Sequence, residues 1–299
     1  MACRKKGAFS MKCYSLNCLF SRFLAVGAIM ALLLVGCGSG EHPPTANQPT
    51  AVTNLTASAV LKHMPQGSAL LTWTPGNQTL NVNVHLYGLA PSSTHPTRLQ
   101  SGSCSKQGPI VYTLNNVVAD AHGVASVTTQ IKNVKNGIPA SGWYVNVHNG
   151  PGLSPADQFL PIVCGDISNP APTTTSLEQI TTPLISAQGS GDSESAHGSA
   201  HLQLAHNILT VTLVLSGLQP DSTHAAHIHA GSCQSQGAVV YPLDVVKADS
   251  SGNASETTTI PNVKTIAASG WYINVHQSTN LSAQTGFDPI ACGDVQLTS

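Results

Sequence analysis

Charge is the scarcest property of this 299-residue chain, of which only 8% is Asp, Glu, Lys or Arg. Five of the 12 Lys+Arg (Arg4, Lys5, Lys6, Lys12 and Arg22) precede position 37, whereas all 13 Asp+Glu follow it. Past that point the balance is 7 − 13 = −6 with neutral histidines. A stretch so poor in cations offers no electrostatic footprint for nucleic acid, and no such partner is expected. No sustained helical period runs through the residues after 40. The phrases GxSxG and HExxH and a glycine-rich phosphate loop are missing too, which argues against common hydrolase and nucleotide-binding designs.

The start of the chain holds a basic leader and the apolar run FLAVGAIMALLLVGC, which ends at Cys37. A basic region, an apolar segment and small residues before a cut predict a secretory signal over residues 1–36. The run is short for a membrane span, although a single transmembrane anchor with an ectodomain is the alternative. Its L-V-G-C ending resembles a bacterial lipobox. That resemblance implies lipid on Cys37, anchoring to the membrane, and a chain held on the extracytoplasmic face of a bacterial cell envelope. Residues 37–50 then read as a Gly/Pro/Thr tether too polar to order itself.

Four cysteines remain beyond Cys37: Cys104, Cys164, Cys233 and Cys292. In an oxidising compartment four thiols read as two disulfides, which allow three pairings. An internal repeat selects among them. YGLAPSSTH (87–95) returns as SGLQPDSTH (216–224), ASGWYVNVH (140–148) as ASGWYINVH (268–276), and PIVCGD (161–166) as PIACGD (289–294). A period this long marks two copies of a whole domain, placed at 51–167 and 178–297 with a linker at 168–177. The pairs within copies are Cys104–Cys164 and Cys233–Cys292, each worth roughly 4 kcal/mol on a chain-entropy argument.

Each copy alternates β-branched and polar residues, as in TLNVNVHL (79–86) and ILTVTLVL (208–215), between Gly, Pro, Asn and Asp. Short alternating strands at this spacing predict an all-β chain of two tandem antiparallel sandwiches with Greek-key connections. Alternation also orients the histidines. In HAAHIHAGSC (224–233) Ile228 belongs to the core, so His227 and His229 face outward. In GWYINVH (270–276) Trp271, Ile273 and Val275 form the apolar set, and His276 faces outward. If the two strands are neighbours, three imidazoles meet on one outer face. Imidazole suits copper and zinc, and three nitrogens leave an open coordination position. His224 could add a fourth ligand if its loop bends, but it is shared with the first copy as His95 and equally well serves a turn. In the first copy Arg98 and Gln100 replace the histidine pair and only His148 is kept, so no metal is expected there.

These phrases (HIH, Cys233 with Gly237 four residues on, a strand ending in VH, a final ACG) resemble the Cu/Zn superoxide dismutase fold. They resemble equally the CHRD domain, which shares the H-I-H and WYxNVH phrases. The resemblance covers both copies and is better in the second. It implies copper ligation by His227, His229 and His276 and a disulfide between Cys233 and Cys292. Three dismutase features are absent. Val239 stands where the bridging histidine belongs, the long zinc-ligand loop is missing, and Pro289 stands in place of the arginine that attracts superoxide. A net charge of −6 also works against steering an anion. The expectation is a membrane-anchored lipoprotein that acts as a binding or interaction module. It has one candidate copper site in the second domain, zinc being the less favoured ion. A copper-only superoxide dismutase-like oxidoreductase and a metal-free structural or adhesive surface protein are the alternatives.

Overall fold

The computed structural model describes residues 54–154, 156–186 and 195–298. The leader, Cys37 and the tether fall outside the described residues.

The first half of the chain supplies β1 (Leu55–His63), β2 (Gln66–Thr74), β3 (Thr79–Tyr87), β4 (Thr94–His95), β5 (Thr97–Ser103) and β6 (Lys106–Thr113). There follow β7 (Val117–Val118), β8 (Ala125–Ile131), β9 (Trp143–His148), the short α1 (Ala156–Phe159) and β10 (Pro161–Ile167). The second half repeats the series as β11 (Glu178–Ser186), β12 (His197–Ala205), β13 (Ile208–Ser216), β14 (Thr223–His224), β15 (Ala226–Ser232) and β16 (Ser235–Pro242). It closes with β17 (Val246–Lys247), β18 (Ala254–Pro261), β19 (Trp271–His276), α2 (Gln284–Phe287), β20 (Pro289–Asp294) and β21 (Gln296–Thr298). The fold is thus all-β, with two curled antiparallel sheets.

The period-two pattern decides which side chains fill them. In β3, Leu80, Val82, Val84 and Leu86 point inward and are buried, and in β13 Leu209, Val211, Leu213 and Leu215 do the same. Burying each such side chain contributes about 1.5–3 kcal/mol. The sheet orders are β6-β5-β9-β10-β11-β2-β3-β8 and β16-β15-β19-β20-β1-β12-β13-β18, with β21 paired to β1. β3 and β5 follow one another in sequence yet lie well apart in the sheet, as do β6 and β8, which is Greek-key winding. Both expected disulfides form, Cys104–Cys164 and Cys233–Cys292.

One arrangement departs from the sequence reading. The two repeats trade their opening strands. β1 pairs with β12 from Leu55 opposite Leu204 to Leu61 opposite Gly198, and also reaches β20. Reciprocally, β11 pairs with β2 from Glu178 opposite Trp73 to Leu184 opposite Gly67. Ala57, Ala59 and Leu61 therefore complete the second core, and Leu184 completes the first. Only Met64 and Pro65 separate β1 from β2. Proline lacks an N–H and biases the preceding residue to extended backbone, which favours continuing across over folding back. Glu178, brought in on the exchanged β11, is buried in the first repeat. Its carboxylate accepts from Ile138 N–H (2.7 Å), Thr173 N–H (2.7 Å) and Asn169 Nδ2 (2.9 Å).

Candidate metal centre

β15 and β19 are neighbours, with His227 opposite Asn274, Ile228 opposite Ile273 and His229 opposite Tyr272. Residues paired across a ladder share a face. Ile228, Ile273 and Val275 accordingly enter the core, and His227, His229, Tyr272, Asn274 and His276 share the other side. The ladder slips between Val275 and His276 against β20, a bulge of the kind that re-aims a strand-end side chain.

The three imidazoles meet. Ring centroids lie 5.5 Å apart for His227–His229, 5.2 Å for His227–His276 and 6.1 Å for His229–His276. One nitrogen from each ring lies within 4.8 Å of the other two.

The face that carries them is not the exterior that alternation implied. His229 is 5% exposed and His276 fully buried, while His227 is half-buried. Alternation says which side of a sheet a residue takes, not what covers that side. Here α2 brings Phe287 within 4.8 Å of the His276 ring, and Tyr272 packs with Met64 and the Cys233–Cys292 bridge. Tyr272 also stacks on His229, centroids 5.0 Å apart and planes 22° from parallel.

Hydrogen bonds fix the tautomers. His229 Nδ1–H donates to Gly237 O at 3.0 Å, and His276 Nδ1–H donates to Phe287 O at 2.6 Å. A carbonyl only accepts, so both rings carry their proton on Nδ1 and present an Nε2 lone pair. His229 Nε2, His276 Nε2 and His227 Nδ1 are buried and lack a hydrogen-bond partner among the described residues. Desolvation lowers all three pKa values, to about 4 for His276, and the proximity of the rings to one another lowers those of His276 and His227 further. All three are neutral at pH 7. Buried polar atoms normally find partners, and unpartnered ring nitrogens in three neighbouring imidazoles suit a cation that prefers imidazole ligands. Asn274, beside them on β19, is also buried with neither side-chain atom bonded.

The first repeat finishes the same place differently. Gln100 Nε2 donates to Gly108 O at 3.1 Å, the carbonyl that matches Gly237. Its Oε1 accepts from Asn146 Nδ2 at 2.8 Å, so the carboxamide is consumed by the protein. His148 keeps the bond to Phe159 O (2.6 Å), but Arg98 stands beside it and helps burial to lower the imidazole pKa. The guanidinium, which reaches Thr113 Oγ1 on β6 at 3.5 Å, thus replaces one imidazole of the set by a positive charge.

His224 does not join the three. Its Nδ1–H donates to His276 O at 2.9 Å and its Nε2 meets Ser222 Oγ at 2.6 Å, leaving no lone pair to offer. His95 makes the same two bonds in the first repeat, to His148 O and Ser93 Oγ, so the turn-supporting role applies to both.

Sequence reading passed over the polar residues that join the repeats. Gln284 accepts from Thr94 N–H at 3.1 Å and donates to Thr94 O and Asn149 O at 2.9 and 2.8 Å. Gln236 donates to Leu89 O, and His122 Nδ1–H donates to Gln236 O. Nothing in periodicity distinguishes such residues from solvated ones. Comparison with known families gives one result: the model of the CHRD domain matches residues 41–151 and 180–283, more than half of the chain. No curated protein matches it.

Proposed function

The chain belongs to the CHRD-domain family, and on that premise we propose that it is a binding module whose second repeat holds one copper ion through His227, His229 and His276. The observation that carries this reading is the set of three neutral imidazoles, two buried and one half-buried, with one nitrogen of each within 4.8 Å of the other two. His229 and His276 would ligate through Nε2, held in orientation by the carbonyls of Gly237 and Phe287, and His227 through Nδ1. A bound copper would supply Lewis acidity and an accessible one-electron couple. Zinc is the runner-up ion, since imidazole serves both. The first repeat acts as scaffold. Lipid on Cys37 would tether the module to the extracytoplasmic face of the membrane.

Turnover is not part of the proposal. Val239, where a bridging histidine would stand in a dismutase, is half exposed, and the Pro289 position carries no guanidinium. The test is Cu(II) added to the purified chain at equal concentration and read by EPR. Nitrogen hyperfine structure is expected in the native chain and its loss in His227→Ala, a change that breaks no protein hydrogen bond of that ring. A spectrum without nitrogen coupling, or one unaltered by the substitution, overturns the reading. Metal analysis of natively purified protein separates copper from zinc.

A further inference from the structure

The exchanged strands and the Asp157–Thr285 pair relate the repeats by an approximate two-fold axis, while the bonds of Gln236 to Leu89 and His122 have no counterpart at the exposed Gln107 among the described residues. Strand exchange is reciprocal, and Thr285 Oγ1 donates to Asp157 Oδ2 at 3.1 Å, joining positions that match in the two repeats. A two-fold contact has two equivalent sides. One is closed. There Gln284 threads its carboxamide onto the Thr94 N–H, the Thr94 carbonyl and the Asn149 carbonyl, and Asp288 faces the Ala90 N–H. Among the described residues the other side is open. Ala156 stands in place of Gln284 and cannot reproduce its three bonds, and Leu160 stands in place of the buried Asp288.

What remains on the open side is a cleft of about 560 Å³, bordered by Thr223, Gln277, Ser222, Asn280, Asp157 and Leu160. Thr223 matches Thr94 and Gln277 matches Asn149. Ala248 N–H donates to Ser222 O at 3.0 Å, as Ala119 N–H does to Ser93 O in the first repeat. That pattern turns the Thr223 N–H and carbonyl away from β17, and no side chain among the described residues takes them up. The cleft thus offers one donor and two acceptors in the arrangement that a primary carboxamide satisfies on the closed side. Its volume falls in the usual range for ligand sites.

We propose that this cleft binds peptides through a glutamine side chain, whose carboxamide takes the place at Thr223 and Gln277 that Gln284 takes at Thr94 and Asn149. The site is separate from the imidazole cluster and needs no metal. The test is an NMR titration of the isotopically labelled chain with the tripeptide Ala-Gln-Ala, with Ala-Met-Ala as the control of similar size. A saturable shift of the Thr223 amide is expected with Ala-Gln-Ala, with affinity about tenfold or more above Ala-Met-Ala for the lost hydrogen bonds. Ala156→Gln supplies the missing side chain internally, so it is expected to slow exchange of the Thr223 amide and abolish the peptide shift. The proposal is overturned by no shift with Ala-Gln-Ala, by equal shifts with both peptides, or by undiminished binding in an Ala156→Gln protein whose strand resonances show it folded.

Discussion

The two repeats build one scaffold and finish it in different ways. At matching positions the first places a guanidinium, a carboxamide and an imidazole (Arg98, Gln100, His148), and the second places three imidazoles. Gln100 and His229 both donate to the carbonyl of a matching glycine, yet only Gln100 also accepts a hydrogen bond from the neighbouring asparagine, whose Oδ1 stays unpaired in both repeats. In the second repeat Asn274 loses that bond, and three ring nitrogens go unpaired. For structure alone the glutamine is the better residue. An unpaired buried polar group costs about 1–3 kcal/mol, so the histidines carry a penalty that bound metal would offset.

The strongest way to break the comparison is to convert one repeat into the other. Arg98→His with Gln100→His removes the fixed cation and restores the imidazole set beside His148. Metal content is expected to rise from one ion per chain to two, with new affinity in the micromolar range or better, about 8 kcal/mol. Stoichiometry unchanged in the folded variant would mean that more than ligand identity separates the repeats.

Strand exchange gives the next largest effect. Leu61 is fully buried in the second core and Leu184 in the first. Replacing either by alanine costs about 2–5 kcal/mol. Leu61→Ala is expected to speed amide exchange in β19, and Leu184→Ala in β9. The opposite assignment, each change loosening the repeat in which its residue is written, would contradict the pairing described above.

Glu178→Ala is expected to cost about 2 kcal/mol by stranding the N–H groups of Ile138 and Thr173. Equilibrium unfolding in denaturant reads it, and the loss belongs to the first repeat because Leu55 fills the matching place in the second.

The last effect, a pH dependence, is absent at neutral pH and grows only as the solution is acidified. Burial lowers the His95 pKa from 6.5 to about 4, against the opposing pull of its bonds to the His148 and Asn149 backbone. The unfolded chain therefore takes up the proton first as pH falls. The stability His95 contributes is complete above pH 6.5, declines by about 1.4 kcal/mol per pH unit toward pH 4, and levels off below. His224 is shifted in the same direction. Unfolding measured at pH 7 and pH 5 is expected to show a shallower decline in His95→Gln than in the native chain.

How much of this was legible in the sequence follows from what a periodic pattern encodes. Alternation placed Ile228 and Ile273 inward and turned the three histidines to the opposite face, because side-chain direction in a strand is a local property; that β15 and β19 are neighbours came from the structure. The duplication fixed both disulfides. Pairing is not local: β1 and β11 have similar alternation, and each fits the slot beside β2 or β12 equally well by pattern. The cover over His276 was hidden for the same reason, since Phe287 reaches it from α2, a helix of four residues too short to show a period. For His224 the sequence left a turn role and a fourth ligand both open, and the bonds to His276 O and Ser222 Oγ decide for the turn. Gln284 and Ala156 were silent individually and informative only as a mismatched pair across an axis the sequence does not display.

Because each sheet borrows a stave from the far half of the gene, neither half is a free-standing part. A recombination event that excised one copy would leave its sibling with an open seam between β20 and β12 or between β10 and β2. Such a remnant exposes raw edges that invite pairing with other chains. The duplication is in this sense locked, and its members fold as one.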